Sequence, residues 1–375
     1  MVRERDTQYL LLTPGPLTTT RTVREAMMEE YSTWDVDYNN IVESIRNSLV
    51  RLAVRDDVNF NSFTSVLMPG SGTFSVESVV GSVIPSGGKL LVLNNGAYGA
   101  RVATISRMLG IETVELSQVE TELTNLNEVE KILMEDSAIS HVAMVHCETT
   151  TGMLNPAEAV GEIVRRLGRI YILDAMSSFG GIPISMESTG AHYLISSANK
   201  CVQGVPGFGF VIADRDQLES TKGLARSHSL DLYEQWREME SKGGKWRFTS
   251  PTHVVNAFAC ALEELDAEGG VEARHNRYLN NHKTLVEGMR SIGFKTLIND
   301  EFQSPIITSF HCPDLAAFDF QNFYDELKER GFVIYPGKVS NAECFRIGTI
   351  GDIFKDDILE LLKRIEEVMS GLKEG

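Results

Sequence analysis

YLISSANKCVQGVPGFGF, residues 193–210, is the stretch on which the fold turns. It opens on an apolar run, passes the small residues Ser196, Ser197 and Ala198, reaches Lys200, and enters a turn containing Gly204, Pro206 and Gly207. A lysine just past a strand reads, taken alone, as a solvated cation. Here small side chains on both sides leave room for something bulky to approach closely. A lysine held in such a place loses its charge by desolvation and becomes a nucleophile toward carbonyl carbon.

Working outward, the same pattern recurs. KLLVL (89–93), TVEL (113–116), HVAMVHC (141–147), RIYILDA (169–175), AHYLISS (191–197) and GFVIAD (209–214) are short apolar runs. Several are nearly continuous, as expected of strands covered on both faces. Between them lie helical patterns such as ARVATISRMLG (100–110) and AEAVGEIVRRLG (157–168), each ending in glycine. Alternating strand and helix predicts an α/β fold with a mostly parallel sheet. The rhythm changes after residue 265. GGVEARHNRYLNNHKTLVEGMRSIG (269–293) predicts one long helix, followed by SPIITSF (304–310), a helix over 320–331, and short strands around FVIYPGK (332–338) and CFRIGTIG (344–351). A last helix starts near Phe354, with Ile358, Leu361, Leu362, Ile365 and Met369 on one apolar face. The expected division is a large domain over 20–265 and a smaller α+β domain over 266–375, joined by the N-terminal segment 1–19.

Bulk properties narrow the function classes. The chain has 375 residues, and 35 Lys and Arg against 52 Asp and Glu give a formal net charge of −17. No dense basic run is present, so nothing offers the positive patch a nucleic-acid binder needs to displace counterions. The excess of acid also argues against anionic membranes, and no apolar stretch approaches the ~20 residues of a membrane span. The apolar part of YLLLTPGPL (9–17) is too short for a signal-peptide core. Five cysteines (Cys147, Cys201, Cys260, Cys312, Cys344) are scattered without paired spacing. We therefore expect a reduced, cytoplasmic protein with no structural metal and no disulfide framework.

Three further stretches bear chemistry. In YILDAMSSFGGIPI (171–184), Asp174 ends an apolar strand. With Lys200 it sits at the carboxyl ends of successive strands, where open α/β sheets take ligands. In LMPGSGTFSVESVVGSVI (67–84), Gly70, Ser71, Gly72 and Thr73 open a helix whose first N–H groups suit a phosphate. A plain helix cap is the other reading of those residues, and they match neither a dinucleotide fingerprint nor a P-loop. In NNGAYGAR (94–101), Tyr98 stands between two glycines after a strand, placed to stack on a planar ring or to pack within a loop.

The ordered set GSGT (70–73), NGAYG (95–99), HCETTTG (146–152), LDAMSSFGG (173–181), SSANKCVQGVPG (196–207), WRFTSPTH (246–253) and FRIGTIG (345–351) resembles the fold-type I, pyridoxal-phosphate (PLP)-dependent aminotransferases. That family has the aspartate-aminotransferase-like fold. The likeness is to its small-substrate branch, which includes alanine–glyoxylate and serine–pyruvate transaminases. Within the branch, LLLTPGPLTTTRTVREAM (10–27), TWDVDYN (33–39), VHCETTTGMLNP (145–156) and GKWRFTSPTH (244–253) are most similar to the members that use 2-aminoethylphosphonate and pyruvate. The resemblance implies PLP as cofactor, Lys200 as the lysine that bonds it, and Asp174 as partner of the ring nitrogen. It implies Ser71, Gly72 and Thr73 as the phosphate cup, Tyr98 as the stacking aromatic, and Thr149 beside the ring oxygen. Arg247 and Thr249 match a segment that reaches the neighbouring subunit's phosphate in a homodimer with shared sites. Relatives often carry tyrosine at the Arg247 position. Arg346 matches the arginine that grips a substrate carboxylate, a task suited to a guanidinium fork.

Other readings remain at this point. Another transaminase of the branch would use alanine or serine with glyoxylate. A PLP lyase or desulfurase needs a mobile cysteine near the C-terminal domain, and Cys344 directly precedes FRIG. A non-catalytic member would keep the fold for binding alone.

Overall fold

The computed structural model describes residues 7–56, 58–337, 339 and 341–374. Its centre is a seven-stranded sheet. In spatial order the strands are Phe63–Pro69, Phe208–Asp214, Tyr193–Ser197, Ile170–Asp174, Ile139–Val145, Lys89–Asn94 and Glu112–Ser117. Neighbours from Tyr193–Ser197 to Glu112–Ser117 pair in parallel, and Phe208–Asp214 runs antiparallel to both of its neighbours. The sheet is thus mostly parallel, as the apolar runs predict. Those runs are buried because helices cover both faces: Val66 to Met68, Leu90 to Leu93 and Tyr171 to Leu173 are each at most 2% exposed. Glu112–Ser117 is one of the two edge strands and is only partly covered. Its Glu112 pairs with Lys89 (2.5 Å) and its Glu115 with Arg107, charges that discourage pairing with another edge.

Several helices start on a residue that caps its own first turn. Asn125 accepts from the N–H groups of Asn127 and Glu128, and Asp214 and Asp231 accept from Gln217 and Glu234. Glycine closes others: Gly110 and Gly168 follow the helices Ala97–Met108 and Ala157–Arg166 with φ of 70° and 66°. Two helices at the carboxyl edge of the sheet lack a cap of their own. Gly72–Val83 begins after Ser71, whose side chain makes no capping hydrogen bond. Ala97–Met108 begins after Gly96, which has no side chain to give. Both open onto the site described below.

A second hydrophobic cluster lies apart from the sheet. Leu285, Val286 and Met289 of the long helix Gly270–Ile292 pack with Phe323 and Leu327 of Phe320–Glu329 and with Ile358, Leu361 and Ile365 of Lys355–Glu374. These helices cover a three-stranded sheet in the order Ile307–His311, Cys344–Gly348, Tyr335–Pro336. The N-terminal segment joins this cluster. Leu10–Leu11 pairs in parallel with Phe332–Val333, and Leu12 is buried with the helices.

Buried and half-buried histidines make acid the weak side of this fold. Burial pushes His141, His146 and His282 each down to about 4 from the ordinary 6.5, and lowers His192. Between those values the unfolded chain binds the extra protons, so stability falls as pH drops from 6.5 toward 4. Asp174, raised to about 6, and Glu148, also raised, act in the opposite sense, because there the folded state holds the proton. Four groups outweigh two. The apoprotein is expected to lose stability steadily below pH 6.5, by up to roughly 1.4 kcal/mol per pH unit per net proton. Urea midpoints from pH 7.5 to 4.5 check this, and a flat profile would contradict it.

Candidate active site

The parallel strands deliver their carboxyl ends to one edge of the sheet. There the chain leaves Phe63–Pro69 for Ser71, Lys89–Asn94 for Tyr98, and Tyr193–Ser197 for Lys200, while Ile170–Asp174 ends on Asp174 itself. These ends enclose a cavity of about 240 Å³ lined by Ser71, Gly72, Thr73, Tyr98, Arg101, Asp174, Met176, Lys200 and Pro16, among others. Six of the residues singled out from sequence therefore meet in one place: Ser71, Gly72, Thr73, Tyr98, Asp174 and Lys200.

Lys200 points back toward the N-terminal segment. Its Nζ donates to the Pro14 carbonyl at 2.7 Å. The approach needs Gly15, whose φ is 124° and where a Cβ would lie 2.8 Å from Nζ. Burial lowers the affinity of the amine for its proton, an effect that nearby Cys201 and Asp174 oppose. The same segment holds the second sheet: Leu12 O accepts from Gly348 N at 2.9 Å. The TPGP turn thus runs from Lys200 to the strand carrying Arg346.

Asp174 is 7% exposed. Its Oδ1 accepts from Met176 N at 2.9 Å, and the residue forms no salt bridge among the described residues. Burial pushes its carboxyl up to about 6, with the Met176 N–H pulling the other way. Such a carboxylate is suited to a cationic partner inside the cavity. On the far wall, the N–H groups of Gly72 and Thr73 begin a helix with no capping side chain, which suits an anion. Gly72 is needed there, since a Cβ would come 2.3 Å from the Met176 sulfur.

Arg101 is a cavity residue that sequence reasoning missed. Its guanidinium lies 4.9 Å from the centroid of the Tyr98 ring, and Nη1 reaches Thr73 Oγ1 at 3.4 Å. The signal was present: Tyr98 and Arg101 are three apart on one helix and so share a face. Pro16 and Asn199 also line the cavity.

The remaining candidates lie outside the lining. Thr149 is buried, and its carbonyl accepts from Arg346 Nη1 at 2.6 Å. Arg346 is 2% exposed in Cys344–Gly348, donates from Nε to Pro336 O at 3.0 Å, and stacks 5.0 Å from the Tyr335 ring. Burial lowers its pKa. Arg247 donates to His228 O at 2.9 Å and stacks on Phe248, and Thr249 is exposed. Neither reaches the cavity of its own chain. Cys344 is buried within its strand.

Comparison with known proteins agrees with this geometry. The family model Aminotransferase class-V matches residues 9–340. A 2-aminoethylphosphonate–pyruvate transaminase of Vibrio vulnificus (strain CMCP6) is 61% identical over 96% of this chain and 98% of its own length. One of Bacillus cereus (strain AH820) is 58% identical, again over 96% of this chain and 98% of its own. Among solved structures, pyridoxamine–pyruvate aminotransferase from Mesorhizobium loti superposes with a TM-score of 0.88 over 100% of this chain and 95% of its own, at 22% identity. The half-buried lysine, the carboxylate one strand away and the open helix end thus stand on the fold of the PLP-dependent aminotransferases, and the chain belongs to the class-V aminotransferase family.

Proposed function

We propose that this chain is a PLP-dependent aminotransferase that moves the amino group of 2-aminoethylphosphonate to pyruvate, giving 2-phosphonoacetaldehyde and L-alanine, a step in phosphonate catabolism. The observation that carries the chemistry is the buried Lys200 amine sharing one cavity with Asp174 and the uncapped helix end at Gly72. The choice of donor is supported by relatives of that name at 58–61% identity along nearly their whole length.

The residues present fit the cofactor. The amides of Gly72 and Thr73, the hydroxyls of Ser71 and Thr73, and Arg101 would hold its phosphate. Tyr98 would cover one face of the ring, with Thr149 nearby, and Asp174 would pair with the ring nitrogen. When bound, PLP supplies an electron sink for the charge that develops at the substrate carbon. Lys200, as a neutral amine, would take the proton from the substrate carbon as general base and later deliver a proton as general acid. Desolvation lowers its affinity for the proton, which favours the neutral form. Asp174 stays ionised against a cationic ring and so preserves the sink.

Arg346 would bind the pyruvate carboxylate and, in the other half-reaction, the phosphonate of the donor. Its Nε and Nη1 are fixed by Pro336 O and Thr149 O, which orients the fork before substrate arrives. Arg346→Lys is expected to raise KM for pyruvate about 10- to 100-fold, the range for losing a charged hydrogen bond, with a smaller change in kcat. Steady-state kinetics at saturating donor measures this split.

Assembly follows the same reading. We take the chain to form a cytoplasmic homodimer in which Arg247 and Thr249 approach the partner's cofactor phosphate. Supporting this, they lie beside exposed Phe248 and outside their own cavity. No helix among the described residues is long and apolar enough to cross a membrane. We take residues 20–265 as the large domain and 266–375, with the N-terminal segment 1–19, as the small one; the described residues of that segment reach the cavity at Pro16.

The deciding experiment is a donor screen with pyruvate as acceptor, quantifying alanine. Turnover of 2-aminoethylphosphonate is expected to exceed that of other amines. Good turnover of alanine with glyoxylate and none with the phosphonate would overturn the choice of donor.

A further inference from the structure

Glu148 is a fully buried carboxylate that takes no part in the chemistry above. It lies in the short strand Cys147–Glu148, just past the sheet strand Ile139–Val145. Its Oε2 accepts from the backbone N–H groups of Tyr98 (3.2 Å) and Gly99 (3.3 Å). Its Oε1 accepts from Thr150 N (3.1 Å) and Thr150 Oγ1 (2.5 Å). Thr150 Oγ1 in turn accepts from Ala97 N at 3.0 Å. Ala97, Tyr98 and Gly99 are the first residues of the helix Ala97–Met108, which has no cap of its own. The cap is therefore delivered from the sheet, as a carboxylate, the charge a helix N-terminus favours.

The space for it comes from Gly96. A Cβ there would lie 2.4 Å from Glu148 Cδ. Gly96 has a φ of 170°, extended backbone open to any residue, so the carboxyl is what excludes a side chain. The next residue along, Thr149, gives its carbonyl to Arg346 Nη1. One three-residue segment thus grips both the helix that carries Tyr98 and the guanidinium of Arg346.

We propose that Glu148 is a positioning residue that sets the Tyr98 ring against the cofactor and, through Thr149, aims Arg346 at the substrate anion. This rests on the PLP reading. Every group facing the carboxylate is a donor, so glutamine cannot replace it cleanly. One of its two ends would put an NH₂ against N–H groups.

The test is Glu148→Gln, with three readouts beside thermal melting. In the apoprotein, deuterium uptake by peptides covering residues 94–101 should quicken about tenfold or more. In the holoenzyme, visible circular dichroism of bound PLP should fall, because the ring is no longer held in one orientation. KM for pyruvate should rise about tenfold. Values within twofold of wild type overturn the proposal. Faster exchange with unchanged dichroism and KM also overturns it, since Glu148 is then a structural cap only. If Glu148→Gln does not fold, Gly96→Ala displaces the same carboxyl from the other side and is read by the same criteria. A wild-type protein that shows no PLP band sinks the cofactor reading and this inference together. A wild type with a normal band beside an unaffected variant sinks this inference alone.

Discussion

Lys200→Ala is expected to abolish transamination while leaving the fold intact. On the proposed reading, the variant lacks the amine that would bond the cofactor and the base that would move the proton. Deleting such a general base costs on the order of 10² to 10⁴ in rate, and losing the covalent anchor adds to it. The absorbance band that borohydride removes in the wild type should be absent from the variant. Stability should change little. Lys200 is half-buried, and holding its charge there is unfavourable, so its removal relieves desolvation. Against that, the Pro14 carbonyl loses its 2.7 Å partner. A small exogenous amine should restore part of the turnover. A variant that keeps both the band and the turnover would end the assignment of Lys200.

Asp174→Asn should separate function from stability in opposite directions. Asparagine keeps the shape and can still accept from Met176 N. It removes the charge that, on the proposed reading, would pair with the ring nitrogen, and kcat is expected to fall roughly 10²- to 10³-fold, as for other fixed electrostatic contacts in closed sites. In the apoprotein the sign reverses. Burial raises Asp174 from 3.8 to about 6. Above pH 6 the folded state therefore carries an ionised group it would rather protonate, at a cost of up to roughly 3 kcal/mol. Removing that charge should raise the melting temperature of the apoprotein at pH 7.5, and the gain should shrink as pH falls through 6 toward 4. Loss of both activity and apoprotein stability would instead mark Asp174 as structural.

The two predictions share a cause. The site is built from groups that are unfavourable when empty and matched when filled, as expected where stability is exchanged for function. An amine whose proton affinity burial lowers and a carboxylate that burial penalises share one cavity, an arrangement suited to a ligand with an electrophilic carbon and a cationic ring.

Much of this was readable along the chain. Asp174 and Lys200 stood out because parallel strands buried on both faces write nearly unbroken apolar runs, and such runs mark where a sheet ends. The cup at Ser71 to Thr73 was readable because a strand, two glycines and a helix form a local pattern. Arg247 and Thr249 were found only through resemblance, and they lie outside the cavity of their own chain. Glu148 and Arg101 were missed for different reasons. Arg101 carried a local signal, a helical spacing from Tyr98 that went unused. Glu148 carried none.

The sequence by itself determined the alternation of strand and helix, the ends of the strands, and the residue types gathered there. These depend on periodicities of a few residues, which side-chain burial imposes directly. Tertiary structure decided the rest. How far Lys200 is desolvated depends on the N-terminal turn, whose Pro14 carbonyl accepts from it. Whether Glu148 meets Tyr98 depends on Ile139–Val145 lying beside Lys89–Asn94 in the sheet, with a whole strand and two helices between them in the chain. Strand order follows from how helices pack across the sheet, which no local spacing encodes, so contacts across it appear only once the chain has folded.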